Sequence, residues 1–582
     1  MAPKEEDSEN NNIPIGNSNT PGIPMPIPIT ETETQKLKCD YLVVGAGTAG
    51  MSFIDTMLTE HPSSTIILVD RNSQPGGHWV HAYPYVRLHQ ASCYYGVDSL
   101  PLGKNLDAKG NERWDVNDRA TGAEVVDYYK RACDNFVASG RVRCFFDAEH
   151  ELDETTGMNT ILVKGGVIGN TNNNNNSINN NNNSNSNSNN NNKSNNLFSV
   201  KCHKLVTVTT NVTVPSMRKP LIPVCESVSA NFVPPNEVPF RAKNGNYNNY
   251  VVFGNGKTGV DTIAHLLLHE GIDQSQITWI VSRDAWYMLG GFLNEFYDFI
   301  RALGEMALAK SVNEYFLNHE EKGLLGRIHN PNNDNNDHQP FPEVFKGAVL
   351  QPKEFEAAKS IQNVVRMGRA TSIESNRILL ENGSIELFTP QTTLLVDCMV
   401  DNYYGYDGDL LSEHFQIFEP GRINMGPLLA TFNPSHTSAR IAFYECAFGG
   451  YDGDDSPKNA SCYFLRGNHS AISRPESFFG QIYMEFKNDN ALMQVKGGPK
   501  FVMNSRTWMM NPMHHKGGLP RFLWMMYGPS QGHKVAENFF QKIESKEYFD
   551  IEHSFGIETL NAERAQRKEK KKQSNPFKSF LR

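Results

Sequence analysis

Two glycine patterns carry most of the chemistry legible in this chain. Gly45-Ala46-Gly47-Thr48-Ala49-Gly50 follows an apolar run at 41–44 and precedes Met51, Ile54 and Leu58 at helical spacing. Gly-x-Gly-x-x-Gly between a strand and a helix is a phosphate cradle. Gly45 permits the tight turn, Gly47 lets the backbone approach a pyrophosphate, and Gly50 lets helix and strand pack closely. The helix N-terminus adds free N–H groups and the positive end of its dipole. Asp70 ends the next apolar run, 66–69, where a carboxylate can accept hydrogen bonds from ribose hydroxyls. Strand, loop, helix, strand and acid together point to dinucleotide binding.

The same order of events recurs about 200 residues later. Gly254-Asn255-Gly256-Lys257-Thr258-Gly259 joins an apolar run at 250–253 to Ile263, Leu266 and Leu267, with a second run at 277–281. No acid directly ends this second strand; Ser282 and Arg283 come first and Asp284 only after them. A hydroxyl and a guanidinium suit a 2′-phosphate, which favours NADPH over NADH, although a solvated strand-end arginine is the plainer alternative.

The stretch after the first acid reads Asp70-Arg71-Asn72-Ser73-Gln74-Pro75-Gly76-Gly77-His78-Trp79. An acid, a base, a short spacer and Gly-Gly-x-Trp resemble the flavin-containing monooxygenases and related flavoproteins with two dinucleotide domains. The phrases Gly-Gly-His-Trp, Tyr-Pro-x-Val-Arg-Leu-His-Gln and Val-Asp-Cys are also similar to an FAD/NAD(P)-binding oxidoreductase family. The resemblance covers roughly 38–101, 205–220, 250–288 and 394–404. It implies FAD at the first site and NADPH at the second. Asp70 and Arg71 would belong to the FAD site, with Asp70 on the adenosine ribose and Gly76, Gly77 and Trp79 along the flavin end. Arg87 and His89 suit the flavin pyrophosphate, or the pyrimidine edge where negative charge develops on reduction. A structural salt bridge explains Arg87 nearly as well.

The departures from that pattern bear on the reaction. The Baeyer–Villiger fingerprint, Phe-x-Gly-x-x-x-His-x-x-x-Trp, is absent before the second glycine loop, where the chain reads Pro239-Phe240-Arg241-Ala242-Lys243-Asn244-Gly245. Thr209-Thr210-Asn211 and Val400-Asp401-Asn402 stand where such families carry Ala-Thr-Gly. These losses leave the fold intact as an expectation and put oxygen insertion in doubt.

The elements that must position these residues imply an α/β chain with two Rossmann-type domains of the glutathione-reductase type. The FAD domain is expected to be discontinuous, 38–232 plus 389–488, with an NADPH domain at 233–388 inserted between the two segments. Residues 289–330 read as a helical insertion, since Phe292, Phe296, Phe299, Ile300, Leu303 and Met306 recur at helical spacing. Residues 1–37 read as a disordered arm, 489–560 as a C-terminal cap and 561–582 as a polar basic tail. The Asn/Ser tract at 170–196 reads as an insert in a hairpin loop, because loop closure entropy grows only logarithmically with length. The Met/Trp-rich stretch that includes Met503, Trp508 and Trp524 reads as core filling.

Composition narrows the class. The charge sum of 55 − 64 = −9 argues against a nucleic-acid binder, which needs a basic surface. No run of about 18 apolar residues exists, so no transmembrane helix is expected. No secretory signal is visible, and the 9 cysteines form no close pairs, which fits a cytoplasmic location. His78, His81 and His89 sit in a loop with no Cys or carboxylate to complete a ligand set, so no metal is expected. The expected activity is that of an FAD-dependent oxidoreductase reduced by NADPH, a monooxygenase using O2 on a small organic substrate. A flavin-dependent dehydrogenase or reductase without oxygen insertion is the first alternative, and a non-catalytic FAD- or nucleotide-binding protein the second. No residue stands out as a catalytic acid or base, and the oligomeric state is not legible.

Overall fold

The computed structural model describes residues 35–102, 117–164, 196–208, 214–289, 303–328, 342–387, 389–399, 416–426, 433–463, 475–508 and 532–545, with single positions between the last two. The arm before residue 35, the Asn/Ser tract at 170–195, the Thr209-Thr210-Asn211 and Val400-Asp401-Asn402 triplets and the basic tail lie outside them. The architecture is mixed α/β.

The first sheet is built on β1 (Gln35–Val44), β2 (Ile66–Val69), β3 (Val142–Phe145) and β6 (Asn196–Thr207). β1 lies between β2 and β6 and pairs with both in parallel. β4 (Ala148–Asp153) and β5 (Met158–Val163) join β6 as an antiparallel meander. β18 (Phe418–Glu419) and β19 (Arg422–Asn424) close the far edge, giving the order β18-β19-β6-β1-β2-β3. Side chains alternate across the sheet. Tyr41 and Val43 face the core shared with helices α1 (Thr48–Glu60) and α2 (Gly122–Ala138), while Leu42 faces the meander side with Phe145 and Phe198.

The second sheet repeats the plan. β8 (Asn249–Phe253) lies between β9 (Ile277–Ile280) and β17 (Thr393–Asp397), with β13 (Asn363–Val365) and β7 (Phe232–Val233) at the edges and all pairs parallel. Tyr250 and Val252 pack toward helix α3 (Lys257–Leu268). Val251 and Phe253 pack toward the meander β14 (Ala370–Ile373), β15 (Arg377–Leu380) and β16 (Gly383–Glu386). A strand buried on both faces must be apolar throughout, and β2 (Ile-Ile-Leu-Val) and β8 (Tyr-Val-Val-Phe after Asn249) are.

Residues 289–330 depart from the all-helical reading. Helix α4 (Val312–Glu321) is present, but Leu325–Arg327 is a strand, β11, antiparallel to β10 (Ala285–Leu289); residues 290–302 lie outside the described set. Three residues are too few for strand alternation to stand out in sequence. β12 (Val344–Leu350) pairs with β10 on its other side. Trp286, Met288 and Phe345 of this small sheet bury α4 against two later helices, α7 (Pro475–Met493) and α8 (Gly532–Glu544). Between them in order, helix α5 (Pro352–Ser360) packs on α3, and α6 (Pro434–Ala447) packs on α1.

Two buried ionic groups fix the frame. Glu445 of α6 accepts from Tyr41 Oη (3.0 Å), Lys204 Nζ (3.3 Å) and Lys458 Nζ (2.7 Å), which ties the helix to the back of β1 and β6. Arg218, on the chain leaving the first sheet, pairs in two-pronged fashion with Asp397, on the chain leaving the second, at 2.8 and 3.1 Å. Such paired, hydrogen-bonded charges are the form in which buried ions are tolerated.

Candidate functional site

The two glycine loops share one geometry. Gly45 and Gly254 turn with φ of 116° and 101°, a region that favours glycine. Gly45 N donates to Val69 O (2.8 Å) and Gly254 N donates to Ile280 O (3.0 Å), so each loop is anchored to the same point of its sheet. Gly50 and Gly259 lie against the carbonyls of Gly45 and Gly254, where a Cβ would sit at 2.0 and 2.1 Å. Helices α1 and α3 begin after Gly47 and Gly256, and neither has a side-chain cap or an acid in its first turn. By contrast, α2 has a complete capping box from Thr121 and Glu124. The first-turn N–H groups of α1 and α3 are therefore open to an anion at the positive end of each helix.

Around the first loop the structure gathers several of the expected residues. Asp70 Oδ2 accepts from Ala46 N (2.6 Å) and Oδ1 from Asn72 N (2.8 Å), which spends two of its roughly four lone-pair sites and leaves the others for a ligand. Burial raises the Asp70 carboxyl above its usual range against those two bonds. Gly76 N donates to Ala46 O (2.9 Å), and a Cβ on Gly77 would meet Gly47 Cα at 2.9 Å, so the Gly-Gly pair is seated directly on the glycine loop. Arg71 is exposed. Trp79 is buried and donates through Nε1 to Tyr95 Oη (2.7 Å). The Tyr95 hydroxyl also bonds the Thr48 hydroxyl, which accepts from Tyr129 Oη at 2.8 Å. Thr48, Tyr95 and Tyr129 were not legible as site residues, because the tyrosines come from separate turns of chain and carry no motif.

Arg87 is exposed and donates to Arg119 O (3.0 Å) rather than to a carboxylate, so the salt-bridge reading gives way to a main-chain hydrogen bond. His89 is half-buried, and its carbonyl accepts from Arg119 Nε at 3.1 Å. Burial first, then the Lys257, His78 and Arg119 charges, pushes the His89 ring down to about 3. The protein packed around His78 pushes that ring down to about 4, although part of its surface remains open to solvent. His81 pairs with Asn72 Oδ1 at 2.8 Å. Among the described residues no group of three or more His, Cys, Asp or Glu is placed to hold a metal ion.

At the second loop, Val281 holds the place that Asp70 holds at the first: Asp70 N bonds Phe145 O and Val281 N bonds Val365 O, each at 2.9 Å. Ser282 and Arg283 follow it, both partly exposed, and Asn255 Nδ2 donates to Arg283 O (2.7 Å). The Asp284 carboxylate is engaged by Arg366 Nε at 2.9 Å. Lys257 is buried in the first turn of α3 and pairs with Asp261 and with Glu354 (3.1 Å). The spacing of Lys257 and Asp261, four residues apart on a helix, was the available signal for that pair.

Burial pushes Asp261 up to about 6 against the Lys257 charge, and pushes Asp55 up to about 6 against its bonds from Ser99. Both stand above the unfolded value. The folded chain therefore holds two protons that the unfolded chain releases between about pH 4 and pH 6, and this contribution to stability is lost as the pH rises through that window. Each held proton is worth roughly 1.4 kcal/mol per pH unit. Urea midpoints measured from pH 4 to pH 7 are expected to carry this falling contribution, and Asp261→Asn to remove one proton's share of the slope. An unchanged slope would contradict it.

None of the nine cysteines, all among the described residues, is joined in a disulfide. Among the described residues no helix is long and apolar enough to cross a membrane.

No family model matches the chain. Curated relatives from Mycobacterium tuberculosis and Mycobacterium bovis, each named as an uncharacterized protein, are 32% identical over 378 residues, which is 63% of this chain and 60% of theirs. The chain thus spans about three fifths of the length of the relatives it matches. Among solved structures, it is similar to the polycyclic ketone monooxygenase of Thermothelomyces thermophila (10% identical, 89% of each chain, TM-score 0.45). It is also similar to a flavin monooxygenase from Stenotrophomonas maltophilia (12% identical, 67% of this chain and 90% of that one, TM-score 0.36). It is similar as well to the bacillithiol disulfide reductase of Staphylococcus aureus (8% identical, 62% of this chain and 76% of that one, TM-score 0.33).

Proposed function

We propose that this chain is an FAD-dependent oxidoreductase reduced by NADPH, built from two Rossmann-type units of the glutathione-reductase type. The observation that carries the reading is the pair of uncapped glycine loops, alike in anchoring and in helix geometry, on two parallel sheets of one chain. The residues at each loop suit their cofactor. FAD would lie on Gly45, Gly47 and Gly50, with Asp70 toward its ribose, Arg71 beside it, and Gly76, Gly77, Trp79, Arg87 and His89 toward the flavin. NADPH would lie on Gly254, Gly256 and Gly259, with Ser282 and Arg283 toward its 2′-phosphate. NADPH is favoured over NADH because an apolar valine replaces the ribose-reading carboxylate at Val281, and the nearest acid, Asp284, is held by Arg366.

Bound FAD would supply the two-electron chemistry between the nicotinamide and O2 or an organic acceptor. The chain's own residues bind, orient and exclude water. The units are drawn as 38–231 with 398–488 for FAD and 232–397 for NADPH, since β7 and β17 pair with each other in the second sheet. The segment 303–328, within the second unit, and the C-terminal residues from 489 on would cap them over a small-molecule substrate. A cytoplasmic location fits nine cysteines without a disulfide.

A second reading, a flavin reductase or dehydrogenase without oxygen insertion, is favoured by one observation. The stretch that would carry the Baeyer–Villiger fingerprint is a short helix, Val238–Asn244, and lacks its His and Trp.

The visible spectrum of the purified full chain tests both readings. A flavin band that bleaches on anaerobic NADPH titration is expected, and its absence overturns the proposal. On re-aeration, a long-lived absorbance distinct from oxidised flavin supports oxygen insertion. Immediate return to the oxidised spectrum supports the reductase.

A further inference from the structure

The segment from Gly76 to Tyr85 touches the first nucleotide loop and the helix that the second one begins. At its start it is seated on the first, through Gly76 N to Ala46 O (2.9 Å) and the close approach of Gly77 to Gly47. A single 3-10 turn, Gly77–His81, then carries it across. The His81 carbonyl accepts from Ser216 Oγ (2.8 Å) and Asn236 Nδ2 (3.1 Å), and the Ala82 carbonyl from the same Asn236 amide (3.1 Å). Tyr83 Oη donates to Asp261 Oδ2 at 2.7 Å. Tyr85 Oη bonds Thr262 Oγ1 at 2.9 Å, and its ring stacks on His265 with centroids 4.2 Å apart and planes 8° from parallel. Asp261 and Thr262 lie side by side one turn before His265 on α3, the helix that the second glycine loop begins. Asp261 in turn holds Lys257, which lies inside that loop.

We infer that this segment couples the two nucleotide sites, and that Tyr83 and Tyr85 are the positioning residues through which an occupant of one glycine loop raises affinity at the other. The inference rests on the two-cofactor reading above and adds an energetic link between its sites. The physical reason is that the first loop and α3 lean on one short, packed segment. A ligand that orders the first loop also orders residues 76–85, and the tyrosines pass that order to α3, so the second ligand meets a helix already held. Linkage makes the effect reciprocal.

The test is calorimetric titration of NADP+ into the full chain, with and without saturating FAD. For the wild type, FAD is expected to tighten NADP+ binding by about 5-fold or more, the lower end of measured site couplings. Tyr83→Phe removes only the hydroxyl that reaches Asp261, and Tyr85→Leu removes both the stack and the hydroxyl. The pair is expected to bring the ratio close to one while leaving NADP+ affinity without FAD within about 2-fold of wild type. A purely structural role would lower both affinities or the melting temperature and spare the ratio. Should the double variant not fold, Tyr83→Phe and Asn236→Ala are read singly. A wild-type ratio of one, or a ratio unmoved by the variants, overturns the inference and leaves the cofactor reading standing. Failure to bind FAD or NADP+ at all overturns that reading, and this inference with it.

Discussion

Gly259→Ala is expected to break the second glycine loop, whereas Gly256→Ala, three residues earlier, is expected to leave the fold intact and lower nucleotide affinity. A Cβ at Gly259 would lie 2.1 Å from Gly254 O and 3.0 Å from Gly254 C. Those are backbone atoms, and they cannot retreat. Gly254 O accepts from the Trp279 indole at 2.9 Å, Gly254 N is bonded to Ile280 O, and a Cβ on Gly254 would itself lie 2.8 Å from Cys398 O. Forcing a methyl group into such a contact costs about 1–3 kcal/mol or more, and a lower urea midpoint is the readout. Gly256 differs. Its φ is −77°, and a Cβ there meets nothing within 4 Å. Alanine is therefore neutral to the fold, or stabilising by a few tenths of a kcal/mol through the unfolded chain. On the proposed reading, the open space it would fill is where a pyrophosphate would approach the backbone. NADP+ affinity is expected to fall by tenfold or more, about 1.4 kcal/mol, with FAD affinity unchanged. Wild-type NADP+ affinity in Gly256→Ala would remove the phosphate role of this loop.

The contrast between these glycines also marks what was legible in the sequence. Each βαβ unit is written within about 30 residues, as an apolar run, a glycine pattern, a helical period and a second run. All of these signals are local, and β1, α1, β2, β8, α3 and β9 follow from them. Asp70 was legible for the same reason. Partners at long range were not. β17 reads as a strand, but nothing local says that it pairs with β8 in the second sheet rather than opening the return to the first. Tyr83 and Tyr85 could be placed only in a loop following Gly-Gly-x-Trp, because the groups that bind their hydroxyls lie 178 and 177 residues away. The short strand β11 is hidden by its length, and the helical spacing before it dominates the pattern.

Arg506 is the clearest residue that local reasoning misses, and its replacement by methionine is expected to be among the most damaging single changes. The side chain is 4% exposed and lies in the C-terminal segment. Its guanidinium donates to three carbonyls of one loop: Cys93 O at 2.7 Å, Tyr95 O at 2.6 Å and Val97 O at 2.8 Å. Those partners are more than 400 residues away in the chain. Just beside them, Asp98 Oδ1 accepts from Thr507 N and from the Ser505 and Thr507 hydroxyls, so the two segments interlock. Methionine keeps the apolar stem and removes every donor, leaving three carbonyls to lose charge-assisted bonds at a buried site. At roughly 1–3 kcal/mol for each group left unmade, a loss of about 3 kcal/mol or more is expected in urea unfolding. Lysine keeps the charge but has no planar fork to span three acceptors, so Arg506→Lys is expected to fall between the two. The consequence reaches the first glycine loop through Tyr95, whose carbonyl Arg506 holds and whose hydroxyl bonds Trp79 and Thr48. FAD affinity, followed by flavin fluorescence, is therefore expected to fall further than NADP+ affinity. Lost stability with unchanged FAD affinity would reduce Arg506 to a clamp on the fold. No change in either would mean that residues 93–97 hold their shape without it.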